Sequence, residues 1–102
     1  MIVLNAVYQN PEDEAAFKEH YKNVHIPLMA KTPGLLKTDV EYISSVFIGD
    51  ADDYYMIARM YFENKDSFKT AMNSDENRAA GKDLMGFAKG RVSLYVTALM
   101  ES

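Results

Sequence analysis

The stretch Phe17–Gly34, FKEHYKNVHIPLMAKTPG, decides the topology. Phe17, Tyr21, Val24 and Leu28 recur at spacings of four, three and four residues. Side chains at that period share one side of a helix, so the segment reads as amphipathic with a single buried stripe. Pro27 lacks a backbone donor and biases Ile26 away from helical geometry, which predicts a kink or an early helix end between Val24 and Pro27. Pro33-Gly34 then makes a turn. The segment also carries the chain's two histidines, His20 and His25. Histidine is the side chain whose ordinary pKa lies nearest neutrality, so a pair of them beside a helix break is the first place to look for chemistry.

Strands flank this helix. Met1–Tyr8 is rich in β-branched and large apolar residues. Asn10 is read as the helix cap, with Pro11 in the first turn and Glu12 and Asp13 at the positive end of the dipole. A second strand is expected over Leu35–Ile48 and a third over Tyr54–Phe62, paired as a hairpin across the polar loop Gly49–Asp53. Asn64 and Ser74 each cap a helix, the first burying Phe68, Ala71 and Met72 and the second Ala80, Leu84 and Phe87. Gly90 ends the second as its C′ glycine, and Arg91–Met100 is the last strand. The order β-α-β-β-α-α-β predicts an α+β, ferredoxin-like domain over residues 1–102. It has a four-stranded antiparallel sheet with the helices on one face.

The other face of that sheet predicts an oligomer. In the third strand Tyr55, Ile57, Arg59 and Tyr61 alternate with the core residues, and in the last strand Arg91, Ser93, Tyr95, Thr97 and Leu99 do so. Solvated faces are normally more polar than this. Two subunits are therefore expected to pack these faces together as a homodimer enclosing a pocket.

Composition narrows the partners. With 102 residues the chain buries about two-thirds of its unfolded surface, and 48% of it is hydrophobic, which again favours a partner. Cysteine is absent, which removes disulfides and thiolate ligands and fits a cytoplasmic location. The net charge is −4 and the 11 basic residues are scattered, so neither nucleic acid nor an anionic membrane surface is expected as a partner. No apolar run approaches the ~20 residues that span a bilayer. The N-terminal MIVLNAVYQN reads as a strand and not as a signal peptide.

These elements carry a resemblance. YQNPEDEAAF, YKNVHIPL, Pro33-Gly34-Leu35, YYMIARMYF with Phe68, and SDENRAAGKDLMGFAKG together resemble the EthD-type family of the dimeric α+β barrel superfamily over nearly the whole chain. The family takes its name from a small protein needed in bacterial degradation of a fuel ether. Similar small barrels include lactone isomerases, polyketide cyclases, quinone-forming monooxygenases and haem-degrading enzymes. The resemblance therefore implies small-molecule binding in catabolic or polyketide-like oxidative pathways, without naming a reaction. His25 matches the histidine of the family's H-x-P-L pattern, and Asp83 and Phe87 match its D-L-x-x-F run. Arg59 departs from the family, which often carries an acid there.

The candidate residues follow. His25 has two readings, a general acid or base at a pocket, or a side chain tying down the kink through a freed carbonyl. At ~100° per residue, His20 lies ~140° around the helix from His25, so the two do not form the i, i+4 pair that grips a metal. His20 is read as a partly exposed partner of a carboxylate. Tyr55, Arg59 and Tyr61 share a strand face and are expected to line the pocket, with Tyr8 and Tyr95 as further lining residues beside Asn5. Arg59 either polarises a substrate carbonyl or pairs with an acid of the partner chain. Asp83 is assigned a cap or ion pair. Asp50, Asp52 and Asp53 are read as a solvated turn and not a calcium loop. No cofactor and no metal are expected. The expected role is a small-molecule-binding protein, either accessory or, if an enzyme, a cofactor-free isomerase or cyclase using His25 for proton transfer. The alternatives are a non-catalytic binding or accessory protein and a cofactor-independent monooxygenase.

Overall fold

The computed structural model describes residues 1–49 and 53–100. Strand β1 (Ile2–Gln9) leads into helix α1 (Glu14–His20), a π-helical turn (Tyr21–His25) and the short helix α2 (Ile26–Met29). Strands β2 (Lys37–Tyr42) and β3 (Tyr54–Phe62) follow, then α3 (Lys65–Met72), α4 (Asp75–Phe87) and β4 (Val92–Ala98). The sheet order is β2-β3-β1-β4, antiparallel throughout. The expected ferredoxin-like α+β arrangement is present, with the helices on one face.

Register divides the sheet into two faces. Leu4, Ala6 and Tyr8 lie opposite Met60, Ala58 and Met56 on one side and Val96, Leu94 and Val92 on the other. This set faces the helices, where Phe17, Tyr21, Met29, Ala80 and Leu84 complete the core. Val3, Asn5 and Val7 align with Tyr61, Arg59 and Ile57 on the open face, beside Thr97, Tyr95 and Ser93. The helices cover β1 and β3 and stop short of β4, so Leu94 and Val96 point to the helix side but stay about half exposed.

Several local expectations are corrected. The first helix starts at Glu14, and its cap is Asp13, whose Oδ1 accepts from the Ala16 N–H at 3.0 Å, not Asn10. Asn10 is held instead by its N–H donating to the Asp53 carbonyl. Strand β2 ends at Tyr42, well short of Ile48. Its partner begins at Tyr54, and the last β2–β3 bond among the described residues is from the Ile43 N–H to the Tyr55 carbonyl. Phe47 and Ile48 lie almost fully exposed. Helix α4 ends at Phe87 with Ala88 as its cap, so Gly90 (φ +79°) falls one position later than a C′ glycine. Asn64 and Ser74 cap α3 and α4 as expected, accepting from the N–H groups of Ser67 and Asn77. Asp50 and Asp52 of the acidic loop lie outside the described residues.

Two departures bear on the site. Pro27 neither ends nor sharply breaks the helix. The Ile26 N–H reaches back five residues to the Tyr21 carbonyl, one residue more than in an α-helix. In an α-helix the Pro27 ring would press on the carbonyl four residues earlier, and the wider turn relieves that crowding. In β3, Tyr8 pairs with Met56 but Gln9 pairs with Tyr54, so one residue is extra on that strand. This bulge turns Tyr55 off the open face, and Tyr55 and Met56 are buried in succession.

Candidate active site

The π-helical turn brings the two histidines together. In an α-helix residues five apart diverge, but a turn closed by an i to i+5 bond returns a side chain to nearly the same side after five residues. His20 stands just before this turn and His25 ends it. The expected ~140° separation is therefore removed, and both rings meet one carboxylate on α4. His20 Nε2 lies 2.8 Å from Asp83 Oδ1, and His25 Nδ1 lies 3.0 Å from Asp83 Oδ2. Helix α4 presents Asp83, with Ala80, Leu84 and Phe87 packed into the core on either side of it. Phe87 sits against both imidazoles, at 4.7 Å from the His20 ring and 5.1 Å from that of His25.

A carboxylate only accepts, so each ring donates the hydrogen it points at Asp83. That leaves the His25 Nε2 as an unprotonated acceptor. The His25 side chain is 6% exposed, against 15% for Asp83 and 36% for His20. Burial holds the His25 pKa below its ordinary value, and the hydrogen bond and charge of Asp83 oppose that shift without reversing it. His25 is thus a neutral base near pH 7 with a fixed tautomer.

His25 also lines a cavity of about 120 Å³ between the sheet and the helices. Its walls are Ala6, Ala58, Met29, Met60, Met72, Gly81 and Leu94, and its polar groups are His25, Tyr8 and Asn77. Tyr8 is buried with its ring 5.5 Å from Phe17 and 5.7 Å from Tyr21. Burial, reinforced by Tyr21 and Asp83, pushes its phenol pKa strongly upward, so it remains a hydrogen donor. Tyr21 packs 5.6 Å from the His25 ring, and burial pushes its pKa up to about 12. The Tyr21 hydroxyl is buried without a hydrogen-bond partner among the described residues. On the far side of Asp83, His20 opens into a separate surface groove of about 620 Å³ with Arg91, Lys89, Glu12 and Asp13.

Of the tyrosines and the arginine expected to line the pocket, the structure brings Tyr8 to the cavity beside His25, while His20, Asp83 and Phe87 gather on the other side of the His25 ring. Tyr55 packs in the core against Phe17 at 5.6 Å and Tyr42 at 5.4 Å, outside the cavity. Arg59, Tyr61 and Tyr95 lie across the sheet on the open face. Arg59 pairs with Glu41 of its own chain. Tyr61 lies under the Lys37 ammonium at 4.6 Å, and Tyr95 is half exposed beside Asn5, whose amide donates to the Tyr95 carbonyl. The sheet itself separates these groups from His25, because adjacent strand residues point to opposite sides. Asp83, which the sequence suggests as a cap or ion pair, orients His25, and Tyr21, a stripe residue by its spacing, packs against the His25 ring. The D-L-x-x-F run was the signal available for Asp83; nothing in the sequence distinguishes Tyr21 from an ordinary buried tyrosine.

A ferredoxin-like sheet holding a histidine-bearing cavity beneath its helices defines the class, and comparison defines the family. Residues 9–91 match the EthD domain, and the chain belongs to that family. It is 34% identical over 97 residues to an uncharacterised 11.0 kDa protein of Rhodococcus erythropolis from the thcB–thcC intergenic region, covering 95% of this chain and 93% of that one. It is 40% identical to an ethyl tert-butyl ether D (EthD) family protein of Bacillus halodurans, with a TM-score of 0.91 over 98% of this chain and 99% of the other. Two more distant structures share the fold. One is a dimeric ferredoxin-like protein of unknown function from Thermobifida fusca (17% identity, TM-score 0.69, 96% and 90% covered). The other is SnoaB, a cofactor-independent oxygenase of Streptomyces nogalater (12% identity, TM-score 0.65, 99% and 93% covered). Among the described residues no helix is long and apolar enough to cross a membrane.

Proposed function

We propose that this protein is a homodimer that binds a small apolar or aromatic carbonyl compound beneath its helices and moves a proton next to that carbonyl, as an isomerase or cyclase does. One observation carries the reading. A buried neutral histidine, its tautomer set by a carboxylate, faces a largely apolar cavity. His25 Nε2 takes the proton from the carbon beside the carbonyl. Asp83 steadies the imidazolium that forms, and the Tyr8 hydroxyl donates to the developing enolate oxygen. Return of the proton to another carbon completes an isomerisation; attack of the enolate carbon on a second carbonyl, whose oxygen becomes an alkoxide and takes the proton back from His25, completes a cyclisation. The cavity is close to the ~150 Å³ that holds a benzene ring, so the ligand presents about one ring to His25. Met29, Met60 and Met72 let the walls adapt to it.

The dimer is supported by the half-exposed Leu94, Val96 and Tyr95 and by the exposed Phe47 and Ile48. Native mass spectrometry across concentrations tests it, and a persistent monomer overturns it. The chemistry is tested by incubating the protein in deuterium oxide with small enolisable ketones such as cyclohexanone and 1-indanone. Loss of the α-proton NMR signal with the wild type and not with His25→Asn is the expected result. Equal rates for the two proteins exclude His25 as the base. Ligand retention without exchange on any member of such a panel favours a binding or accessory role. The likeness to SnoaB motivates a second reading as a cofactor-independent oxygenase, which requires oxygen uptake at an electrode when an electron-rich phenol is supplied.

A further inference from the structure

His20 is absent from the proton transfer described above, yet its contact is the shorter of the two made by Asp83, at 2.8 Å against 3.0 Å. It lies on the other side of the carboxylate from the cavity, in the groove lined by Glu12, Asp13, Lys89 and Arg91. We propose that His20 is a positioning residue for His25. Through the carboxylate they share, it fixes the direction of Asp83 Oδ2 and couples the protonation of the cavity histidine to that of a histidine open to the surface.

The geometry supplies both halves of this. A carboxylate held by one donor can rotate about its Cβ–Cγ bond. The His20 donor on Oδ1 removes that freedom and aims Oδ2 at His25 Nδ1. The coupling follows from charge. One carboxylate stands between two rings, and the second proton added to the cluster makes its net charge positive in a partly buried place. His20 is the ring that solvent reaches, and a charge on it opposes a proton at His25 across the shared carboxylate. His25 therefore keeps its free Nε2 to lower pH than its contact with Asp83 alone would allow. The titratable groups around the pair are Asp83 from α4, Tyr8 from β1, Tyr21 from the π-helical turn, and, on the groove side, Glu12, Asp13, Lys89 and Arg91. Arg91 is already tied to Glu12 at 2.8 Å and to the Asn10 carbonyl, so it bears less on the histidines than Asp83 does.

The catalytic consequence rests on the proposed role of His25, but the coupling is read without any substrate. Full-length protein labelled with ¹⁵N in its histidine rings is titrated by NMR. In the wild type the His25 nitrogens are expected to show the Nδ1–H tautomer and two inflections, one following His20. His20→Gln keeps an uncharged donor for Asp83 Oδ1. It should keep the tautomer, leave one inflection, and raise the His25 midpoint by roughly half a pH unit or more. His20→Phe, which has no donor, should lose the single-tautomer signature. Asp83→Asn should leave the two histidines titrating independently. A single His25 inflection, with the same midpoint in the wild type and His20→Gln, overturns the proposal, as does coupling that survives in Asp83→Asn. Coupled titration without α-proton exchange rejects the catalytic reading alone. Exchange with uncoupled titration rejects the role of His20 alone.

Discussion

The two faces of the sheet are built from the same four strands and do different work. On the helix side, alternate residues are small or apolar, and they frame a cavity whose polar groups are concentrated at His25, Tyr8 and Asn77. On the open side, aromatic residues mix with charges already paired within the chain, such as Arg59 with Glu41. A tyrosine or arginine on a strand is thus a poor guide to chemistry until its side of the sheet is known. The helix face has the unusual feature, a buried base with one fixed tautomer, while the open face is a mixed aromatic and charged surface that the proposed dimer would cover.

The contrast is sharpest at His25. His25→Asn is expected to slow α-proton exchange by roughly 10²- to 10⁴-fold with the fold retained, since that is what a positioned base contributes. Comparable loss from Tyr61→Phe on the open face would break the division of labour. Core truncation comes next. Phe17→Ala should lower the unfolding free energy by about 3–5 kcal/mol, because Phe17 packs against Tyr8, Tyr21, Tyr55 and Phe87. A urea melt measures it, and a change below 1 kcal/mol would mean that the aromatic cluster is not the centre of the core.

Cavity filling has an intermediate effect. A Cβ added at Gly81 meets nothing within 4 Å, and Gly81 lines the cavity. Gly81→Leu should therefore leave the melt unchanged or improve it, since glycine is a poor interior helix residue, while abolishing retention of one-ring ketones. Unaltered ketone binding would move the ligand elsewhere. Acidity gives a smaller effect. The His25 pKa is lowered on folding, so the unfolded chain binds that proton more tightly. The contribution of His25 to stability is full above its unfolded value near ~6.5 and falls as pH drops through the folded value. Wild type should lose more stability than His25→Gln between pH 7.5 and 5.5, and parallel losses would contradict it. Arg59→Gln should cost the monomer about 0–1 kcal/mol, as an exposed ion pair does.

Much of the architecture was legible. Asn64 and Ser74 announce helices through their own side chains, and β1, β3 and β4 announce strands by alternation, because these signals depend on neighbours a few residues away. The dimeric expectation comes from the mixed character of the open face and remains part of the proposal. The site was legible only in part. His25 and Tyr8 were singled out, but Tyr55 was placed on the wrong side, and Asp83 was given no part in orienting a histidine. Strand length failed at β2 for the same reason, since its end depends on where β3 begins.

By itself, then, the sequence determined the order of elements and the start of the buried helix stripe at Phe17 and Tyr21, consequences of local periodicity and capping; past Tyr21 the stripe departs from the expected Val24, which is exposed, and passes to His25 and Met29. Tertiary structure alone decided that a π-helical turn aligns His20 with His25, and that both meet a carboxylate 58 residues beyond the second. It also decided that a bulge rolls Tyr55 into the core. A single extra residue in a turn or strand changes which side every following side chain faces. Whether that residue is accommodated depends on packing between segments far apart in the chain, which no local pattern records.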